Sequence, residues 1–264
     1  MRLLRIWLEK LRKYDNQKGF VCDGCGAEIF QYPLQRICND CETILYKNNA
    51  HCCPKCGRKT ITEGVCLDCK RHKPDFDVGI SPFVYFAQTA GFINRMKIGN
   101  RRLACFFGEK MADTFVERYT QISGFEVGRC ELNEENIPLP LLIIPVPLTE
   151  TSRRERGYNQ ALDLAEALCQ RLLALGYRAE IDADILQKRK ETRQQKHMHF
   201  QERVENVAGA YHVHKRAVCK GRTILLVDDI MTTGATGSEC AKRLLNAGAK
   251  ELIFLTAASL PEPK

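Results

Sequence analysis

The 264-residue sequence has no apolar run approaching the roughly 18 residues of a membrane-spanning helix, which argues against a helical membrane protein. Charges interrupt Met1 to Tyr14, so the apolar centre of a secretory signal is missing too, and a cytoplasmic chain with reduced thiols is expected. No G-x-x-x-x-G-K-[ST] pattern occurs, which excludes a Walker-type phosphate loop. Aromatic residues are few, at 8%, with one tryptophan. Phe200 and Tyr211 are the aromatics near the most basic tracts, so no stacking platform for single strands is evident there. Acidic residues are in deficit, 32 against 40 lysines and arginines; the net charge of +8 favours phosphate-bearing partners without identifying one. A hydrophobic share of 44% and a charged share of 27% are ordinary for a globular protein, and the length suffices for one α/β core plus a smaller module.

Cysteine, by contrast, is abundant. Nine of the 14 fall between Cys22 and Cys69; Cys105, Cys130, Cys169, Cys219 and Cys240 are scattered among apolar neighbours and read as core residues. Cys22-Asp-Gly-Cys25-Gly26 precedes Ile37-Cys38-Asn-Asp-Cys41, and Cys53-Pro-Lys-Cys56-Gly57 precedes Val65-Cys66-Leu-Asp-Cys69. Both halves thus read C-x-x-C-G … [I/V]-C-x-D-C. In a reducing compartment such turns are metal ligands before they are disulfides. Two consecutive four-cysteine ribbons are expected, one on Cys22, Cys25, Cys38 and Cys41 and one on Cys53, Cys56, Cys66 and Cys69, with a cross-brace as the alternative pairing. Two structural zinc ions are the expected occupants, with iron the alternative, and His51 and Cys52 are spare donors beside the second site. So small a module builds little core, so metal binding would supply its folding energy, and that role explains the cysteines without any contact to DNA.

Residues 1–18 read as a basic amphipathic helix, with Leu4, Trp7, Leu8 and Leu11 on one face. It either packs on its own protein or meets a membrane surface or partner. The ribbons then occupy 19–72, the charged stretch Arg71 to Asp77 is a linker, and an α/β domain fills 73–264. Strands are predicted at Gly79–Phe86, Leu141–Val146, Ile181–Leu186, Ala210–His214, Thr223–Val227 and Glu251–Ala257. Helices are predicted at Ala90–Lys97, Leu103–Tyr119 and Asn159–Leu175 and around Ala241–Ala247, and an acidic loop spans Ser123–Ile137. This alternation gives a mostly parallel sheet with ligands at the carboxyl ends of its strands.

The most informative stretch follows Thr223. Ile224 to Val227 is a strand apolar on both faces; it ends in Asp228 and Asp229 and passes through Thr232, Thr233, Gly234, Ala235 and Thr236 into a helix. Backbone N–H groups at a helix start, a glycine at the tight bend and three hydroxyls suit a phosphate, and two carboxylates at a strand end suit sugar hydroxyls or a divalent cation. A second segment has Pro147 at the end of a buried strand, then Arg153, Arg156, Asn159 and Gln160 leading into a helix, where an anion would meet guanidinium groups and helix amides. A third, Lys188 to Arg203, carries six basic and two acidic residues and suits an exposed arm able to close over a substrate.

The loop from Asp228 to Thr236 resembles the phosphoribosyl-pyrophosphate (PRPP) loop of type I phosphoribosyltransferases, and residues 20–258 resemble the ComF family. The matching elements are the double C-x-x-C module, Lys73-Pro-Asp-Phe-Asp77, Ile93 to Lys97, Pro145-Val-Pro-Leu148, Arg153-x-x-Arg156-Gly-Tyr-Asn-Gln160, Arg193-Gln-Gln195 with Arg203-x-x-Asn206, and Val227 to Thr236. The resemblance implies a zinc-ribbon module joined to a type I phosphoribosyltransferase fold. By it, Asp228 and Asp229 address ribose hydroxyls with Mg2+, Thr232 to Thr236 hold the 5′-phosphate, and Arg193, Gln194, Arg203 and Asn206 face the site. It also implies work in the uptake of transforming DNA as single strands, beside a helicase-like ATPase and in association with a membrane complex. Three readings stay open: a single-strand DNA binder of competence that keeps a PRPP site, a Mg2+-dependent phosphoribosyltransferase on an unnamed acceptor, and a ribbon scaffold for the helicase-like partner.

Overall fold

The computed structural model describes residues 21–31, 35–49, 51–123, 139–189 and 200–262. The N-terminal helix expected over 1–18 and most of the 123–137 loop lie outside them. Chain contacts divide the protein into two compact units, Met1–Leu45 and Tyr46–Lys264. The two cysteine ribbons therefore fall one in each unit.

In the first unit, a knuckle at Cys22–Gly26 is followed by a short helix α1 (Asn39–Thr43), with Cys38 as its extended N-cap. The backbone N–H groups of Gly24, Cys25 and Cys38 all donate to the Cys22 sulfur, at 3.3, 3.4 and 3.1 Å. The second unit repeats the pattern, with Cys66 capping α2 (Leu67–Arg71). It continues through β1 (Val78–Ile80), β2 (Phe83–Val84), α3 (Ala87–Lys97), α4 (Arg102–Ser123), β3 (Leu141–Pro145), α5 (Glu150–Arg156), α6 (Gln160–Ala174), β4 (Ala179–Ile181) and β5 (Leu186–Lys188). Then come α7 (Phe200–Val207), β6 (Tyr211–Val213), α8 (Arg216–Cys219), β7 (Thr223–Met231), α9 (Ala235–Leu245) and β8 (Glu251–Ser259).

The main sheet has the order β1-β8-β7-β3-β4, with β2 also on β8, and every pairing is parallel. A parallel sheet is covered on both faces, which is why its middle strands are apolar without alternation. Leu225 of β7 lies between Ile143 of β3 and Ile253 of β8. Ile224 and Leu226 join one buried cluster with Ala241 and Leu244 of α9. Leu225 and Val227 point to the other face, against which α4 and α6 pack. Those two helices approach closely at Gly108, where a Cβ would lie 2.5 Å from the Cβ of Ala167. Phe106, Phe107, Met111 and Phe115 form the buried stripe of α4.

Two expected strands are divided. Gly79–Phe86 becomes β1 and β2, both paired with β8. Ile181–Leu186 splits into β4, in the main sheet, and β5, which pairs antiparallel with β6. Between them Asp182 breaks the run: its carboxylate accepts the Asp184 N–H at 2.9 Å and the Lys215 ammonium at 3.0 Å.

The second ribbon is built into the sheet. Its four sulfurs belong to the same buried cluster as Leu226 and Phe254. The Gly79 N–H of β1 donates to the Lys55 carbonyl at 2.8 Å, and the Asn48 side chain donates to the carbonyls of Gly57 and Ser81 at 2.7 and 3.0 Å. Gly57 has φ +69°, and a Cβ there would lie 2.1 Å from the Gly79 carbonyl oxygen. Gly57→Ala should therefore force knuckle and strand apart and lower stability by about 2–4 kcal/mol. Urea unfolding of both forms checks this, and an unchanged midpoint would contradict the packing.

Candidate functional site: a cleft at the carboxyl ends of β3 and β7

Two adjacent parallel strands end side by side, and the chain leaving each turns into a helix. After β7 the turn needs a left-handed residue, and Gly234 supplies it with φ +81° as the N-cap of α9. The Thr233 hydroxyl accepts the Ala235 N–H at 3.3 Å, and helix α9 presents its N-terminus to a cleft of about 300 Å³. Thr232, Gly234, Ala235 and Thr236 line that cleft with Asp228 and Asp229. From the β3 side it is lined by Pro147, Asn159 and Gln160. Asn159 is fixed in place: its amide donates to the Val146 carbonyl at 3.3 Å while its oxygen caps α6 by accepting the Ala161 N–H at 3.1 Å.

The two carboxylates differ. The Asp229 N–H donates to the Asp228 carboxylate at 2.8 Å, and Asp229 itself meets the Lys97 ammonium at 3.0 Å. Burial first, and then the neighbouring charge of Asp229, push the Asp228 carboxyl up to about 7, against the pull of that N–H and of Lys97 and Lys188. A cleft with a helix N-terminus, hydroxyls and a carboxylate pair offers donors to a phosphate and acceptors to a diol or a divalent cation.

Other expected site residues lie elsewhere. Arg153 is exposed on α5 and does not line the cleft; the segment expected as a loop is helical because Thr149 caps it, accepting the Ser152 N–H at 3.2 Å. Asn206 is half-buried on α7, also away from the lining. The side chains of Arg156 and Arg203, and the whole of Arg193 and Gln194, lie outside the described residues. Three lining residues with polar or charged side chains were not anticipated as site members: Lys97, Lys188 and Tyr211. Lys97 ends the Ile93–Lys97 motif and Lys188 opens the basic tract, so both stood in segments already singled out.

Residues 159–264 match the Phosphoribosyl transferase domain family. Competence protein ComFC of Bacillus subtilis (strain 168) is 26% identical over 227 residues, 82% of this chain and 80% of that protein. Competence protein F of Haemophilus influenzae is 27% identical over 239 residues, covering 89% and 88%. Along most of its length the chain is similar to these ComF-type competence proteins. A further relative is DNA utilization protein YhgH of Shigella flexneri, 25% identical over 214 residues, 81% of this chain and 86% of that one. Among solved structures, glutamine PRPP amidotransferase of B. subtilis, complexed with ADP and GMP, aligns at 15% identity and a TM-score of 0.34, over 60% of this chain and 26% of that one. The fold class follows from the matched domain and the parallel sheet with its Asp-Asp loop.

The N-terminal cysteines form two groups, Cys22/Cys25/Cys38/Cys41 and Cys53/Cys56/Cys66/Cys69, each with its sulfurs within 4.8 Å of one another. The pairing is sequential. A tetrahedron of Zn–S bonds near 2.3 Å has an edge of about 3.8 Å. Cys25 to Cys38 and Cys56 to Cys66 both measure 3.7 Å, so both groups fit a structural zinc. Burial opposes ionisation at Cys22, yet the N–H groups of Cys38, Cys25 and Gly24 bring its thiol down to about 7. His51 and Cys52 stay apart: His51 pairs with Glu63 at 3.6 Å, and the Cys52 thiol donates to the Asn48 side-chain oxygen at 3.2 Å.

Two measurements test this geometry. Metal analysis of the purified protein should give two zinc equivalents per chain, and one each after Cys25→Ser or Cys56→Ser. Asp228 supplies the second test. Its folded value of about 7 exceeds the ordinary 3.8, so the folded chain holds the extra proton between those values. Stability from this group is complete below about pH 4 and is lost as pH rises through 7. Asp228→Asn should melt like wild type near pH 4 but be more stable at pH 8, by on the order of 2 kcal/mol. Equal melting temperatures at pH 8 would contradict the assignment.

Proposed function

We propose that this protein is of the ComF type, serves competence or DNA utilization, as its relatives' names state for them, and binds Mg2+·PRPP or a related phosphorylated ribose in the β3–β7 cleft. Single-stranded DNA is the proposed macromolecular partner. The observation that carries the reading is the convergence, in one cleft, of the helix start at Gly234–Thr236, the carboxylates of Asp228 and Asp229, and Asn159 and Gln160 on the β3 side. In this reading Thr232, Thr233, Gly234, Ala235 and Thr236 hold the 5′-phosphate through N–H and hydroxyl donors. Asp228 and Asp229 accept from the ribose 2′ and 3′ hydroxyls and share the Mg2+. Pro147, Asn159 and Gln160 flank the pyrophosphate, with Arg153 and Arg156 on the helix beyond. By the family resemblance Arg193, Gln194, Arg203 and Asn206 are proposed as further ligand contacts. A helicase-like ATPase is the proposed protein partner, and the cytoplasmic side of a membrane complex the proposed location. Among the described residues no helix is long and apolar enough to cross a membrane.

A second reading, an active phosphoribosyltransferase, is favoured by the same carboxylate pair standing beside the helix start at Gly234–Thr236 in one cleft. There the ribose C1–nucleophile bond would form as the C1–O bond to pyrophosphate breaks, with positioning and charge stabilisation supplying most of the rate.

Calorimetric titration of PRPP with Mg2+ tests the site. Wild type should bind, and the Asp228→Asn/Asp229→Asn double variant should bind at least tenfold more weakly; equal behaviour of the two would refute it. Anisotropy with a short oligo-dT tests the DNA arm. If about four phosphates are neutralised, affinity should fall roughly fiftyfold between 50 and 200 mM salt. Absence of oligo-dT binding at 50 mM would remove DNA from the proposal.

A further inference from the structure

Arg58 follows the second ribbon's first knuckle and is almost wholly inside the protein, 2% exposed. Its backbone carbonyl accepts the Cys53 N–H at 2.9 Å, so the residue is part of the knuckle itself. Its guanidinium reaches two ways. One nitrogen donates to the Asp68 carboxylate at 2.6 Å, and Asp68 stands between the ligand cysteines Cys66 and Cys69. Another donates to the backbone carbonyl of Thr232 at 2.9 Å, the residue where the chain leaves Asp229 and enters the phosphate loop. Around this bridge the four ribbon sulfurs share a buried cluster with Met231 and Ala235, the two ends of that loop, and with Phe76. Phe76 lies 3.7 Å from where a Cβ on Gly234 would be. The C-terminal segment closes the same region: the Glu262 carboxylate accepts the Leu67 N–H at 2.7 Å, and the Glu262 N–H donates to the Lys59 carbonyl at 2.9 Å.

We propose that Arg58 is a positioning residue for the Thr232–Thr236 loop, so that a metal held by Cys53, Cys56, Cys66 and Cys69 governs the shape of the phosphate site, while the first cysteine group does not. The physical step is peptide planarity. In a trans peptide the carbonyl of one residue and the N–H of the next point in opposite directions. Holding the Thr232 carbonyl on Arg58 turns the Thr233 N–H away from the ribbon and fixes the entry to the Gly234 bend. Arginine is suited to the task because its planar fork serves two acceptors at once, where a lysine offers one point charge. Asp68 in turn orients the guanidinium, and its own place is set by the ligands on either side of it. The first group lies in the other compact unit, Met1–Leu45, and serves as the internal control.

The affinity consequence rests on the PRPP reading above; the conformational one does not. The test is therefore amide hydrogen exchange of the peptide spanning 231–237 in the full-length, ligand-free, zinc-loaded protein. Exchange there should be at least tenfold faster in Arg58→Met and intermediate in Arg58→Lys, with peptides from β3 unchanged. Cys56→Ser should speed it likewise and Cys25→Ser should leave it at the wild-type rate, each variant having lost one zinc. Loop exchange equal in Cys56→Ser, Cys25→Ser and wild type overturns the proposal, even where Arg58→Met fails to fold. Calorimetry with Mg2+·PRPP then adds an expected loss of about tenfold in Arg58→Met. Failure of wild type to bind PRPP counts against the proposed function alone and leaves the exchange result to decide the role of Arg58.

Discussion

From Ile224 to Val227, strand β7 admits no water on either face. Ile224 to Val227 are all fully buried, hemmed in by β3 and β8 in the sheet plane and by helices above and below. Only at its carboxyl end does the chain regain solvent, and there the residues change abruptly to two carboxylates and a run of hydroxyls. A catalytic or binding group anywhere earlier on β7 would be entombed. The site is thus placed by burial before any ligand is considered, at the edge where an open parallel sheet leaves room between diverging loops. The same constraint explains why the β3 side contributes through Pro147, Asn159 and Gln160, which follow the neighbouring strand and line the same opening.

The two cysteine ribbons share a sequence pattern and differ in what surrounds them. In the first, Cys25 is exposed and the knuckle is held largely by its own N–H···S bonds. In the second all four cysteines are buried, and the knuckle shares hydrogen bonds with β1 and packs against Phe76 and Phe254 through one continuous cluster. A duplicated motif therefore yields one metal site that organises a small unit and another that forms part of a larger core. The glycine after each second cysteine marks the difference. A Cβ on Gly26 would meet nothing within 4 Å, whereas one on Gly57 would strike the backbone of β1.

The sequence made the parallel sheet, the carboxylate-hydroxyl loop and the sulfur groupings readable because each depends on short-range pattern: an unbroken apolar run, a glycine at a fixed bend, paired C-x-x-C turns. Ile181–Leu186 misled because Asp182 and Asp184 interrupt a run that is otherwise apolar, and a capped turn won over strand extension there. The arginine segment after β3 became a helix because Thr149 serves as N-cap, a local cue passed over in favour of the charge pattern. Lys97, Lys188 and Arg58 could not be assigned to the cleft from spacing alone. Lys97 reaches Asp229 across 132 residues and Arg58 reaches Thr232 across 174, and only the strand order brings those partners together.

Charge is the remaining thread. Asp228 and Asp229 sit side by side at the mouth of an apolar strand, and the ligand-free fold answers that repulsion only in part. Lys97 pairs with Asp229 at 3.0 Å, one N–H serves Asp228, and Lys188 adds a more distant positive charge from β5. The residual cost shows as an Asp228 carboxyl that gives up its proton only near neutrality. A divalent cation or a sugar diol would relieve that cost directly, since each stabilises the ionised pair that the fold alone leaves under-compensated. On the proposed reading the carboxylates cost the fold stability and would favour a bound cation or diol, a trade expected where a site is selected for what it binds. By the same logic Lys97 and a divalent cation would compete for Asp229, because an ammonium 3.0 Å from that carboxylate occupies a position that a metal ion would claim.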